Sequence, residues 1–108
     1  MINFVIFFSL LFFNKYSFAD CSKAKDTSRI VVAGGSITEI LFFLNESQNI
    51  VAVDTTSNFP EDAKKYPSIG YVRALSAEGV LSLNPTLIIG ENDMGPKNVL
   101  EQLKKTKI

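Results

Sequence analysis

Four apolar runs set the layout of this chain. The first, Phe4 to Phe13 (FVIFFSLLFF), is ten residues of nearly unbroken apolar side chains, well short of the about 20 that a helix needs to cross a hydrocarbon core. The polar stretch after it closes with small residues at Ser17 and Ala19, a spacing that a signal peptidase accepts before Asp20. Residues 1–19 therefore read as a secretory signal peptide, with a retained membrane anchor as the alternative because Met1-Ile2-Asn3 lacks a Lys or Arg. Asp20 is not the small residue that a lipoprotein signal places before its cysteine. That leaves Cys21 as an unpaired thiol in a polar mature tail over residues 20–28.

The other three runs are short and β-branched: Ile30-Val31-Val32-Ala33, Ile50-Val51-Ala52-Val53 and Thr86-Leu87-Ile88-Ile89-Gly90. None alternates with polar residues, which predicts strands buried on both faces, as in a parallel sheet. Between the first two, Ser36-Ile37-Thr38-Glu39 has the form of a capping box. Ile37, Ile40, Leu41 and Leu44 then fall on one helical face, with Asn45 as a stop. Strand, helix, strand within about 25 residues is a βαβ unit with a right-handed crossover. A loop-rich segment follows, with one helical turn over Glu61 to Lys65 behind Pro60 at its first position. Next comes a short helix over Leu75 to Leu83, with Ser76 as its N-cap and Asn84-Pro85 as its end. Gly79 inside that helix costs about 1 kcal/mol relative to Ala, which predicts a packing reason for it. A last helix, Lys97 to Lys105, turns Val99, Leu100 and Leu103 inward, and a fourth strand would begin at Lys107-Ile108. The expected fold class is α/β, part of a doubly wound parallel sheet. Some 90 residues bury less apolar surface than such a sheet has available, so residues 29–108 read as the front portion of a longer protein.

Composition narrows the classes of function. The chain has 108 residues, no His and one Cys, which leaves no internal Ser/His or Cys/His catalytic pair and no Cys/His zinc cluster. Without residues 1–19, ten basic and eleven acidic side chains remain, a net charge of about −1. Nothing in that balance draws the chain to phosphate backbones or anionic membrane.

Ligands of open parallel sheets bind beyond the carboxyl ends of the strands, which here are Gly34 to Ser36, Asp54 to Asn58 and Gly90 to Met94. The Gly34-Gly35-Ser36 turn can offer free amides to an anion, but it lacks the dinucleotide and phosphate-loop glycine patterns, so a tight structural turn is expected. Asp54 is a candidate general base or metal ligand, against the plainer reading of a solvated strand-end carboxylate. Glu91 and Asp93 are spaced to share a loop, again with solvation as the plainer reading.

The segment from Gly70 to Pro85 (GYVRALSAEGVLSLNP) is the most informative. In extended backbone, a Tyr two residues before an Arg lies on the same side, so the Arg73 guanidinium can approach the Tyr71 phenol oxygen and favour its phenolate form. Phenolate is a hard anionic ligand for ferric iron, a role Tyr plays in some haem proteins. The alternative is a loop Tyr whose ring packs on the domain.

Taken together, RIVVAGGSITEIL at 29–41, IVAVDTTS at 50–57, YPSIGYVRALSAEG at 66–79 and NPTLIIG at 84–90 resemble the amino-terminal lobe of periplasmic haem-binding proteins of bacterial ABC importers. The wider group serves haem, siderophore and cobalamin import, with two α/β lobes joined by a long helix and the ligand between them. The resemblance implies a non-enzymatic component that captures haem in the periplasm and delivers it to the membrane permease; a siderophore or cobalamin carrier is the alternative. An enzyme with a nucleotide or metal site is disfavoured by the missing motifs and the missing His. Position by position, Tyr71 matches the axial ligand to haem iron, Arg73 the Arg that tunes it, and Glu78 an acidic residue that pairs with basic residues of the permease. The carboxyl-terminal lobe, the linking helix and any second axial ligand from that lobe have no counterpart in residues 29–108, and a fragment of that kind would leave one porphyrin face open.

Overall fold

The computed structural model describes residues 22–108; the expected signal peptide over 1–19 and Cys21 lie outside the described residues. Three parallel strands form one sheet, β1 (Ile30–Ala33), β2 (Ile50–Val53) and β3 (Leu87–Gly90), in the order β2-β1-β3. β1 pairs through Ile30 with Ile50 and with Leu87, and through Val32 with Val53 and with Ile89. All four of its residues are buried, which explains the absence of any polar position in that run.

Because side chains alternate across a strand, β1 feeds two cores. Val31 and Ala33 pack on one face with Val72, Leu75, Val80, Val99 and Leu103, the last three carried by α2 (Ala77–Leu81) and α3 (Lys97–Lys104). Ile30 and Val32 pack on the other face with Ile50 and Val53, beneath Ile37, Leu41 and Phe42 of α1 (Gly35–Phe43). Helices on both faces make this the expected doubly wound arrangement. Fully burying a side chain such as Val31 or Val32 stabilises by about 1.5–3 kcal/mol.

Several details depart from expectation. In β3, Leu87 to Ile89 are half-buried and Gly90 is exposed, because the helices cover the faces of this edge strand only in part. α1 begins at Gly35 with Gly34 at its cap and no side-chain capping bond; Ser36 is already helical, so the Ser36/Glu39 capping box does not form. Ile37 and Leu41 do face the sheet, whereas Ile40 (55% exposed) and Leu44 (56%) do not. The buried position on that helix belongs to Thr38, whose hydroxyl lies 2.8 Å from that of Ser57. Asn45 does end α1, in the left-handed region at φ 58°, with the Glu46 N–H donating to the Leu41 carbonyl at 2.8 Å.

The turn over Glu61–Lys65 is a 3-10 helix, and Pro60 stands at its cap rather than its first position. α2 is shorter than expected. Ser76 caps it as predicted, accepting from the Gly79 N–H at 3.2 Å. Arg29 reaches across to close its far end, donating to the carbonyls of Asn84 (3.0 Å) and Leu83 (2.7 Å), as a cation beside a helix C-terminus does. Gly79 has no packing reason: a Cβ there meets only Ser76, at an ordinary 3.6 Å. In α3, Val99 and Leu103 are buried and Leu100 is half-buried.

Candidate functional site

At the carboxyl ends of the strands, the first question is whether the Gly34-Gly35-Ser36 amides are free. They are not. The Gly34 N–H donates to Asp54 Oδ1 (2.9 Å), the Gly35 N–H to Thr56 Oγ1 (3.0 Å), and the Ser36 N–H (3.4 Å) and hydroxyl (2.7 Å) to Glu91 Oε1. Three side chains from two other loops thus do the capping that Ser36 and Glu39 were expected to do. A positive φ of 145° and the Glu91 side chain against its missing Cβ explain why residue 34 is Gly.

Asp54 overturns the reading of a solvated carboxylate. It is 2% exposed. Its oxygens accept from the Gly34 N–H, the Thr56 N–H (3.1 Å), the Thr56 hydroxyl (2.6 Å) and the Ser57 hydroxyl (2.9 Å). Ser57 in turn meets Thr38 of α1. A buried carboxylate surrounded by donors is stable because charge-assisted hydrogen bonds replace the water it lost. Asp54 therefore serves as a tie between the β1 and β2 loops, with no lone pair aimed outward as a base would need. Glu91 and Asp93, expected as a solvated pair, are likewise engaged, each with a different loop.

Tyr71 stands on a segment pinned on both sides. The Ile69 N–H donates to the Val53 carbonyl (2.9 Å) and the Thr55 N–H to the Gly70 carbonyl (2.9 Å), which fastens the approach along the outer edge of β2. Gly70 takes φ 90° with open space around it, so backbone conformation and not crowding favours glycine there. Beyond Tyr71, the Gly95 N–H donates to the Val72 carbonyl (2.9 Å) and the Leu75 N–H to the Gly95 carbonyl (3.0 Å). Val72 and Leu75 are buried while Tyr71 between these anchors is 47% exposed. Tyr71 is thus held half in solvent on a braced turn beside the strand ends.

Arg73 is nearby but not by the expected route. The Ala74 N–H donates to the Tyr71 carbonyl at 2.8 Å, so Tyr71 and Arg73 occupy the first and third positions of a tight turn instead of extended backbone. The Arg73 Nε–H donates to Asp93 Oδ2 at 2.8 Å, and Nη2 forms an ion pair with the same oxygen at 2.8 Å. That hydrogen bond, then the field of Tyr71, then the charge of Asp93, raise the guanidinium's pKa further above its already high ordinary value. The partner of the guanidinium is thus Asp93, with Tyr71 two positions earlier in the same turn. Glu78 lies in the first turn of α2, exposed.

Sequence reasoning missed Asp54 as a buried tie and Asp93 as the partner of Arg73. For Asp54 a signal existed: D-T-T-S packs three hydroxyl donors directly after a strand-end carboxylate, the composition of a turn that bonds its own side chains.

A family model described as periplasmic binding protein matches residues 30–108. The structure is similar to the periplasmic heme-binding protein RhuT from Roseiflexus sp. RS-1 in apo form, with TM-score 0.73 and 46% identity over 77% of this chain and 32% of that one. A periplasmic heme-binding protein from Pseudomonas aeruginosa matches with TM-score 0.72 and 47% identity, over 75% of this chain and 29% of that one. A vitamin B12-binding protein of Yersinia pestis (strain Pestoides F) is 30% identical over 80 residues, 74% of this chain and 29% of the relative. The chain thus spans about a third of the length of the proteins it matches.

Proposed function

The chain belongs to the periplasmic binding protein family, and from that premise we propose that it captures haem in the periplasm as the binding component of an ABC importer, with no enzymatic activity. The observation that carries this reading is Tyr71: a half-exposed tyrosine on a braced turn at the ligand side of a parallel sheet, with Arg73 two positions on in the same turn. The identity of 46–47% to heme-binding proteins supports it further.

In this reading the Tyr71 oxygen is the axial ligand to ferric iron, its proton leaving to solvent as the bond forms. Arg73 offsets the negative charge gathered on that oxygen. The anchors at Gly70, Val72 and Leu75 fix the turn before the ligand arrives, so little backbone freedom is lost on binding. Residues 29–108 supply part of the amino-terminal lobe and hence one face of the haem site; a second lobe would supply the other. Glu78, exposed in the first turn of α2, docks on basic residues of the permease, and residues 1–19 direct export to the periplasm.

A siderophore or cobalamin carrier is the second reading, favoured by the vitamin B12-binding relatives at 30% identity. Such ligands do not require a phenolate at position 71. Titrating the chain with hemin and, separately, with cyanocobalamin decides between them. Haem capture predicts a tyrosinate-to-iron charge-transfer band that disappears in Tyr71→Phe. A Tyr71→Phe chain that binds hemin with unchanged affinity and spectrum refutes the ligand assignment, and tight cobalamin binding without the hemin band moves the function to the second reading.

A further inference from the structure

An exposed Arg side chain on a turn normally samples many rotamers, at a cost of up to about 2 kcal/mol in entropy to hold one of them. Arg73 is 62% exposed in its side chain, yet its Nε–H donates to Asp93 Oδ2 and its Nη2 lies 2.8 Å from the same oxygen. The loops that carry the two residues are joined beside that ion pair by two backbone hydrogen bonds, Gly95 N–H to Val72 carbonyl and Leu75 N–H to Gly95 carbonyl. Gly95 itself is buried. The pair is therefore assembled by the backbone before either side chain acts. Glu91, the neighbouring carboxylate, is engaged at Ser36, which leaves Asp93 of the β3–α3 loop as the partner of Arg73, two positions after Tyr71 in its turn.

We infer that Asp93 is a positioning residue for the haem site: it holds the Arg73 guanidinium beside Tyr71, so that Arg73 meets the iron-bound phenolate from a fixed place and not from a solvent-averaged one. This rests on the haem reading of Tyr71. Asp93 touches neither iron nor porphyrin in this role, and its whole effect passes through Arg73. The aspartate also explains how a guanidinium can remain next to a site that is open to water on one side. With Nε–H bonded to Oδ2 and Nη2 paired with the same oxygen, the side chain swings into solvent only by breaking a hydrogen bond and an ion pair together.

The test is a mutant cycle with two readouts. Hemin is loaded onto the chain and its dissociation rate is followed by transfer to excess apomyoglobin, for the parent, Asp93→Ala, Asp93→Asn, Arg73→Ala and the Arg73→Ala/Asp93→Ala double variant. Asp93→Ala should speed dissociation about threefold, the scale of an exposed ion pair. Asp93→Asn keeps an acceptor oxygen in place and should stay within about 1.5-fold of the parent. In the Arg73→Ala background, Asp93→Ala should add nothing. The second readout needs no haem: the Nε–H resonance of Arg73 in a nitrogen-15 spectrum, slow to exchange in the parent, should be lost in Asp93→Ala and kept in Asp93→Asn. Equal acceleration with and without Arg73 would reduce Asp93 to general stability, and an unchanged rate, or an Nε–H signal that survives Asp93→Ala, would overturn the inference. Should the parent chain show no tyrosinate-to-iron band, the haem reading fails by itself, and the Nε–H signal still decides whether Asp93 holds the guanidinium.

Discussion

The β1–α1 turn and the Tyr71 turn lie at the same end of one sheet and are built from similar material, yet they differ in what they leave exposed. At the first, every amide of Gly34, Gly35 and Ser36 and all the acceptor capacity shown by Asp54 are directed inward, to Thr56, Ser57 and Glu91. At the second, the backbone is just as fully tied, but the side chain of Tyr71 is left half in solvent. A polar cluster at a strand end is thus not a ligand site by virtue of its residues. What separates a tie from a site is whether the functional atoms have partners inside the fold.

That contrast is open to attack, first through stability. Asp54→Ala strands a buried Gly34 N–H, a Thr56 N–H and two hydroxyls. At about 1–3 kcal/mol for each group left without a partner, less what entering water restores, a loss of about 3 kcal/mol is expected in urea unfolding. A loss below about 1 kcal/mol would show that the tie is dispensable. A smaller effect, of opposite sign, is expected at Gly79, where nothing blocks a Cβ. Gly79→Ala should stabilise by up to about 1 kcal/mol and raise the thermal midpoint by several degrees; a lower midpoint would reveal a packing role that the structure lacks. The smallest stability effect belongs to Tyr71→Phe. Its oxygen supports no element of the fold, so unfolding should move by no more than about 0.5 kcal/mol even as the tyrosinate-to-iron band is abolished. If Tyr71→Phe destabilised as strongly as Asp54→Ala, the two turns would not differ in kind.

The parts of this fold that were legible in the sequence are those fixed by short-range pattern. Ile30–Ala33 and Ile50–Val53 follow from unbroken apolar runs, the end of α1 from Asn45, and the start of α2 from the hydroxyl of Ser76 three residues before Gly79. The parts that were not legible depend on partners far along the chain. Asp54 and Glu91 reach the α1 N-terminus from 20 and 55 residues away, and a local capping box can lose to them because only tertiary packing decides which acceptor arrives first. Ile40 and Leu44 carry the right spacing for burial and remain exposed, since spacing selects a face but not what covers it. At the candidate site, Tyr71 and Arg73 were visible as residues, while the turn that relates them and the Asp93 that holds the guanidinium were not.

The central place of β1 also sets the order of events in folding. Ile30 pairs with Ile50, 20 positions on, and with Leu87, 57 positions on. Closing the longer loop costs about 0.9 kcal/mol more than the shorter by chain statistics, so the β1–β2 ribbon is favoured to form first and β3 to dock later. Until residues 87–90 have joined, one edge of the most fully buried strand in the described fold stays uncovered, and such an edge pairs readily with other chains. A protein of this topology that is threaded across a membrane amino terminus first shows that edge before the segment that seals it has emerged, which makes the interval between β2 and β3 its period of greatest exposure to aggregation.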